Sequence, residues 1–250
     1  KWLNAGVMED GHWNKTEEGT PQGGNISPLL ANIYLHYVFD LWANSWRNTK
    51  ASGDVVMVRY ADDIVMGFQY KHEAMRFLEE LNDRFKKFNL EVHTEKTSLI
   101  EFGRYAVERR KERGEGKPDT FDFLGFTHMC SKSRKGKFTV LRKTSAKKLR
   151  NKLAELKKTM RKRLHWSIPD LGTWLKSVIV GHCRYYGVPW NGKSLTRFRS
   201  EIIRMWCRLL RRRSQKHRIT WKRMNRLAKK WLPSPFICHP YPLERMRVNT

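Results

Sequence analysis

The sequence predicts an α+β fold in which an antiparallel sheet with packed helices is followed by a basic, all-helical region. In the first part, short β-branched runs are bounded by turn-forming residues, as in strands. From residue 144 onward, the apolar residues recur at helical spacing. The formal charge of +27 is also uneven, with 21 basic and 20 acidic residues up to residue 140 and 30 against 4 after it. We therefore predict two domains, residues 1–142 and 143–250.

A loop rich in glycine and proline precedes the first predicted helix. It runs from Gly19 to Pro28 and leads into a predicted helix, with Ser27 as N-cap, Pro28 as first helical residue and apolar side chains recurring as far as Leu41. A loop that enters a helix N-terminus offers backbone N–H groups to an anion. The alternative is an ordinary turn.

Two adjacent carboxylates, Asp62 and Asp63, lie between the apolar runs Val55–Val58 and Ile64–Phe68. The pattern predicts a hairpin of two strands with the acidic pair at its tip. No basic residue follows the pair until Lys71, so a divalent cation is the natural counterion. Two such ions catalyse in-line displacement at phosphorus. The alternative is a simple turn, in which aspartate is common.

The next segments complete the predicted sheet layer. Spacing predicts a core-facing helix from about His72 to Asn89, then a short strand at Leu90–His93. The charged stretch Arg104–Asp119 is typical of an exposed loop. Phe121–Phe126 alternates like a strand, and Lys137–Leu141 is expected to pair with it across a basic turn.

The basic region combines apolar helical stripes with clustered positive charge, which indicates a folded domain that binds a polyanion. Four helices are predicted, around Leu149–Leu164, Leu171–Tyr186, Phe198–Leu209 and Trp221–Trp231. The residues expected to contact the phosphate backbone of such a partner are Lys157, Lys158, Arg161, Lys162, Arg163, Arg211, Arg212 and Arg213. The tryptophans at 166, 174, 190, 206, 221 and 231 either stack on unpaired bases or belong to the core.

Cysteine spacing and hydropathy exclude several classes of protein. The four cysteines are far apart and form no Cys-x-x-Cys, so neither a zinc site nor a disulfide framework is expected. A reducing cytoplasm is the predicted setting. No signal peptide is visible, and no apolar run has the length of a membrane span.

Taken in order, these segments resemble group II intron-encoded reverse transcriptases and maturases. The resemblance rests on Gly19–Gly24 with Ser27–Leu35, Tyr60-Ala61-Asp62-Asp63, Leu90–Thr97, Phe123–Phe126, Gly181–Gly187 and His239–Pro242. It implies that residues 1–142 are part of a polymerase palm and that residues 143–250 are the thumb, or domain X.

The resemblance also implies site residues and partners. Asp62 would be the more direct Mg²⁺ ligand of a two-metal site and Asp63 would support it. Gln22 with Gly23 would contact the templating pair, Tyr60 would flank the primer terminus, and Lys96 would lie near the polyphosphate as a candidate proton donor or else be a solvated lysine. The partners implied are structured intron RNA, an RNA template with a DNA primer, and dNTPs, with a homodimer possible for the intact protein acting at the nucleoid of a bacterium or organelle.

The family's fingers and first palm block, which carries a third metal-binding carboxylate, are expected upstream of residue 1. The 250 residues alone are therefore not expected to extend a primer. Two alternatives stay open. One is an RNA-binding splicing cofactor without catalysis, and the other is the reverse transcriptase of another retroelement or a defence system.

Overall fold

The computed structural model describes residues 7–9, 12–14, 26–133, 135–213 and 219–241. The chain forms two compact units, residues 1–99 and 100–250. The elements of the first are β1 (Val7–Glu9), β2 (His12–Asn14), α1 (Ser27–Leu35), a π-helical turn (His36–Asp40), α2 (Leu41–Thr49), β3 (Val55–Tyr60), β4 (Asp63–Phe68) and α3 (Lys71–Lys86). Those of the second are α4 (Ala106–Glu112), β5 (Phe121–Phe123), β6 (Phe126–Lys132), β7 (Phe138–Thr144), α5 (Ala146–Lys162), α6 (Ile168–Tyr186), α7 (Gly192–Arg211) and α8 (Trp221–Trp231).

The mixture of helices and small antiparallel sheets agrees with the predicted α+β class. The strands pair as β1–β2, β3–β4 and β5–β6–β7, every pair antiparallel. The three-stranded sheet belongs to the same compact unit as the basic helices. The division at residues 142/143, which concerns function, stays a prediction.

The first unit is built on the apolar face of α3. Phe77, Leu81 and Phe85 are buried at helical spacing, as predicted, and pack with the buried Trp46 and Val55. The indole ring of Trp46 meets the phenyl ring of Phe77 edge-on, with centroids 5.0 Å apart. This core lies against one face of the β3–β4 hairpin and fixes its position in the unit.

The predicted helix beyond Pro28 is not one continuous α-helix. It is interrupted by the π-helical turn His36–Asp40, and the residue at the N-cap is Ile26, so the prediction of Ser27 as N-cap was wrong by one position. A π-turn widens the helix by one residue and changes which side chains face inward. Here it directs Val38 and Phe39 into the core.

Two local predictions were wrong, one of a strand and one of a loop. Residues 90–93 form no strand, and Leu90 and Val92 pack against the first core without pairing to a strand among the described residues. Within the predicted charged loop, residues 106–112 form α4. The buried Ala106 anchors this short helix.

The predicted strand Phe121–Phe126 is in fact two strands and a turn. Phe123 pairs with Phe126, leaving Leu124 and Gly125 as a two-residue loop with φ of 48° and 77°. Positive φ at both positions is the type I′ geometry of tight hairpins. Two contacts attach this turn to the helical part. The hydroxyl of Tyr185 donates to the carbonyl of Leu124 at 2.9 Å, and the N–H of Ser145 donates to the carbonyl of Gly125 at 2.9 Å.

The four predicted basic helices are present as α5 to α8. Their apolar stripes meet in one core that contains the fully buried Leu171, Leu175, Ile202, Trp206 and Met224. The basic side chains lie on the outer faces of these helices, so the positive charge is on the surface of a packed domain. Within the described ranges, no helix has the length and apolar character that crossing a membrane requires.

Candidate active site

The acidic pair lies at the tip of a regular hairpin, as predicted. The β3–β4 register runs from Val55 opposite Phe68 to Tyr60 opposite Asp63, which leaves only Ala61 and Asp62 in the loop. Ala61 has φ of 54°. A positive φ at the first loop position occurs in the tight turns that match the twist of a hairpin, and it strains a residue other than glycine.

The two faces of the hairpin differ in environment. Val55 and Met57 pack against the first core, whereas Val56 and Val58 are exposed on the opposite face. Tyr60, which is 65% exposed, continues the outward face. Because cross-strand partners share a face, Asp63 lies on that side beside Tyr60. The hairpin therefore presents an aromatic ring and a carboxylate together on its open surface.

Asp62 and Asp63 are both exposed, and neither carboxylate accepts a hydrogen bond or forms an ion pair within the described ranges. Their oxygens are hard donors of the kind that Mg²⁺ prefers, and one or two carboxylates with substrate phosphates are its usual set in phosphoryl-transfer enzymes. No group of three or more metal-binding side chains is found among the described residues. The pair fits a magnesium site completed by other oxygens.

Arg59, whose role sequence reasoning missed, anchors the acidic turn through hydrogen bonds. The guanidinium of Arg59 donates from Nε and Nη2 to the two carboxylate oxygens of Asp40, at 2.7 and 2.6 Å. Its Nη1 donates to Oδ1 of Asn32 at 2.8 Å and to the carbonyl of Ala61 at 3.0 Å. The guanidinium also holds the pKa of the Asp40 carboxyl below its ordinary value.

This arrangement has an electrostatic consequence. Arg59 precedes the acidic turn by three residues and would otherwise compete with a cation for its carboxylates. Its charge is instead balanced by Asp40, and its N–H groups are directed to the π-helical turn, α1 and the loop carbonyl. A charged residue at a core-facing strand position must be paired, which is the sequence signal that could have revealed it.

The structure does not connect the other predicted substrate contacts to the acidic turn. Gln22 and Gly23 lie outside the described residues. Lys96 is exposed in a turn at residues 94–96, where its backbone N–H donates to the carbonyl of His93 at 3.1 Å. No contact joins its side chain to the acidic turn within the described ranges. Its role near a polyphosphate stays a prediction.

The predicted RNA-binding cations separate into two groups. Six are exposed on or just beyond α5 and α7, namely Lys157, Lys158, Arg161, Lys162, Arg211 and Arg212. Arg163 is half-buried, with its guanidinium 4.3 Å from the ring of Trp166 and 4.1 Å from that of Trp174. Burial also lowers the pKa of Arg213. Arg163 and Arg213 are thus partly enclosed by the domain. Arg211, although exposed, donates a hydrogen bond to the carbonyl of Ile219 at 3.2 Å and lies over the Trp221 ring. The other five exposed cations can reach a phosphate backbone.

The six tryptophans of the basic region are distributed between core and surface. Trp206 is fully buried, Trp174 and Trp231 are half-buried, and Trp166, Trp190 and Trp221 are exposed. Two of the exposed rings are occupied by neighbouring arginines, Arg163 at Trp166 and Arg211 at Trp221. Membership of the core is therefore confirmed for Trp206, and stacking of the exposed rings on unpaired bases stays a prediction.

Comparison with known proteins identifies the family to which the acidic hairpin's part of the chain is similar. Residues 1–128 match the family model described as reverse transcriptase (RNA-dependent DNA polymerase). The group II intron-encoded protein LtrA of Lactococcus lactis subsp. cremoris is 64% identical over 36 residues, 14% of this chain and 6% of LtrA. Protein YkfC of Escherichia coli is 30% identical over 182 residues, 60% of this chain and 43% of YkfC.

A third relative, an uncharacterized 91 kDa protein in a cob intron of Schizosaccharomyces pombe, is 36% identical over 62 residues, 25% of this chain and 8% of its own. The matched segments thus cover less than half of each relative's length. The family model, in contrast, covers more than half of this chain and includes the whole acidic hairpin. The chain belongs to the reverse transcriptase (RNA-dependent DNA polymerase) family, and within that family it resembles the group II intron-encoded proteins.

Proposed function

We propose that the β3–β4 hairpin carries the metal-binding turn of an RNA-directed DNA polymerase and that the basic helices bind the RNA of a group II intron. The observation that carries the first part is the pair of exposed carboxylates on an ordered tip, in a chain of the reverse transcriptase family. The short, close match to an intron-encoded protein supports the second part.

In this proposal Asp62 is the more direct ligand of Mg²⁺, and Asp63 supports the site or the primer end. Bound Mg²⁺ would stabilise the charge that develops when a primer 3′-hydroxyl attacks an α-phosphate. Tyr60, exposed on the same face as Asp63, flanks the primer terminus. Lys96 lies near the polyphosphate of the incoming dNTP, and Gln22 with Gly23 contacts the templating pair.

The metal-binding role can be tested without polymerase activity. Mn²⁺ in place of Mg²⁺ is titrated into the chain and its free ion is followed by electron paramagnetic resonance. We expect binding that weakens in Asp62→Asn and is lost in the variant that also carries Asp63→Asn. Asp83→Asn, which removes an exposed carboxylate from α3, is the matched control. Equal binding by the double variant and by this control would contradict the proposal.

Primer extension tests the chemistry itself. With a primed RNA template, dNTPs and Mg²⁺, we expect no extension by the 250-residue chain alone, since its described residues bring no third metal-binding side chain to the turn. Robust incorporation that disappears in Asp62→Asn would show that the two carboxylates suffice. Restored extension on adding the family's upstream palm block would support the expected three-carboxylate centre.

The RNA-binding role has a specific observation of its own, because 30 basic and 4 acidic residues fall in residues 141–250. Cations that displace counterions from phosphates give an affinity that falls steeply with salt. We expect the full chain to bind structured RNA with such a dependence, and to keep it in the Asp62→Asn variant. Equal affinity at low and high salt would contradict the electrostatic account. Retention in the variant would separate a splicing cofactor's function from polymerisation.

A further inference from the structure

A groove lies between α5 and α6 in the second unit. Its volume is about 550 Å³, and its lining includes Lys148 and Lys152 from α5 and Gly181, His182 and Tyr185 from α6. Ligand sites in proteins commonly occupy roughly 300–1,000 Å³. The groove is therefore large enough for a nucleotide, and three observations point to such an occupant.

The first is a buried histidine with an unsatisfied nitrogen. His182 is 9% exposed and lies flat on Phe198, with centroids 3.7 Å apart and planes inclined by 20°. Its Nε2 has no hydrogen-bond partner among the described residues. Burial, with a smaller contribution from the charge of Lys152, lowers the pKa of His182 to about 4, so the ring is neutral at physiological pH. This nitrogen is itself closed to solvent, so it marks a polar group beneath the groove that the described residues leave unsatisfied.

The second is a glycine that packing does not require. Gly181 lies in the interior of α6, where glycine costs about 1 kcal/mol relative to alanine. A Cβ at this position would meet no atom within 4 Å, and the backbone has no positive φ there. Neither a close neighbour nor the conformation explains the residue. Its effect is to leave bare backbone along the groove, where a ligand can approach closely.

The third is the arrangement of charge and aromatic surface around the groove. Lys148 and Lys152 are one helical turn apart, and Lys148 has no ion-pair partner among the described residues. Lys152 pairs at 3.1 Å with Glu155, which also lines the groove and balances part of its positive charge. Tyr185 is 53% exposed, and the hydrogen bond from its hydroxyl to the Leu124 carbonyl holds the ring in place. A fixed aromatic ring near two lysines suits a base and its phosphate.

We infer that the α5–α6 groove binds one unpaired nucleotide of RNA, with the phosphate at Lys148 and Lys152 and the base beside Tyr185. This inference rests on the proposed RNA-binding function of the basic helices. An unpaired nucleotide is favoured over a duplex because a base must leave its stack to enter a groove of this size.

The test fills the groove without changing charge. Fluorescence anisotropy measures the affinity of the full chain for an unstructured single-stranded RNA and for an RNA duplex of equal length. Gly181→Met is expected to weaken single-strand binding about tenfold, the loss of one stacked base, and to change duplex binding less than twofold. Thr173→Met, which adds the same side chain at an exposed position of α6 outside the groove, is the control. Circular dichroism verifies that both variants keep their helices.

A second comparison separates the groove from general electrostatics. Lys148→Gln and Lys147→Gln remove the same charge from adjacent exposed positions of α5, but only Lys148 lines the groove. We expect the larger loss for Lys148→Gln, and quenching of a 2-aminopurine base in the RNA that disappears in Gly181→Met. If Gly181→Met behaves like Thr173→Met while RNA binding stays salt-dependent, the groove does not bind a nucleotide and the proposed RNA-binding function stands. If the chain binds no RNA, both fail.

Discussion

The buried imidazole of His182 makes the stability of the second unit depend on pH in a calculable way. Its pKa falls from an ordinary value of 6.5 to about 4 in the folded chain, chiefly through burial. Above pH 6.5 the ring is neutral in both the folded and unfolded states, so its titration does not affect stability. Below 6.5 the unfolded chain binds a proton that the folded chain does not, and the free energy of unfolding falls until about pH 4.

The size of this effect follows from the shift. Each unit of pKa difference is worth about 1.36 kcal/mol, so the two states diverge by about 2.5 kcal/mol between pH 7.5 and pH 4.5. Urea titrations of the wild type and of His182→Phe, followed by circular dichroism, measure the difference. The phenyl ring can keep the stacking on Phe198 but cannot titrate. The wild type is therefore expected to lose about 2.5 kcal/mol more than the variant over this range.

Comparison with the variant removes the contributions of other titrating groups. Glu73, whose pKa is lowered mainly by its hydrogen bond from Ser52, also loses stabilisation in acid, but it does so equally in both proteins. An NMR titration of the His182 ring gives its pKa directly. A pKa near 6.5, or the same loss of stability in wild type and variant, would refute the argument that burial keeps this ring neutral.

Three further substitutions test the packing and the turn. Gly172→Ala should lower the free energy of unfolding by about 1–3 kcal/mol in urea titrations, because its Cβ would lie 2.7 Å from the Trp231 ring; no loss would mean that the ring moves freely. Ala61→Gly should raise it by about 1 kcal/mol by relieving the positive φ, and a lower value would show that the turn is unstrained. Glu73→Gln should lower the melting temperature at pH 7, since the carboxylate accepts hydrogen bonds from the N–H and hydroxyl of Ser52 at 2.6 Å. The difference in melting temperature between wild type and variant should shrink below pH 4.5, and a pH-independent difference would contradict this.

The elements that depend on local pattern were predictable. The spacing of Phe77, Leu81 and Phe85 defines a helix face wherever that helix lies, and the β-branched runs around Asp62 define a hairpin. The strand expected at residues 90–93 failed for the opposite reason, since a strand needs a partner edge that its own sequence does not specify. In the turn after Phe123, a leucine with positive φ is uncommon, so the segment looked like uninterrupted strand.

In the candidate site, too, the local features were predictable and the tertiary contacts were not. Asp62 and Asp63 were predictable because adjacent carboxylates between two apolar strands are a local feature. The role of Arg59 was not, because it depends on a contact with Asp40, the last residue of a π-helical turn that periodicity does not reveal. Likewise, the clusters of basic residues were visible in the sequence, but the stacking of Arg163 between two tryptophans depends on how a helix end packs.

The pairing of Arg59 with Asp40 decides how much negative charge the acidic turn offers to a cation. With the pair intact, Arg59 is neutralised through two short hydrogen bonds and its third nitrogen is held by Asn32 and the Ala61 carbonyl. Asp62 and Asp63 then keep two uncompensated charges, which match a divalent ion. In Asp40→Asn, the guanidinium would lose its counter-ion three residues from the turn, and its positive charge would oppose the metal. Asp40→Asn should therefore weaken Mn²⁺ binding although Asp40 is not a ligand, and the weakening should diminish at high salt because the effect acts through space. A variant that binds Mn²⁺ like the wild type at low salt would show that the pair serves the fold alone.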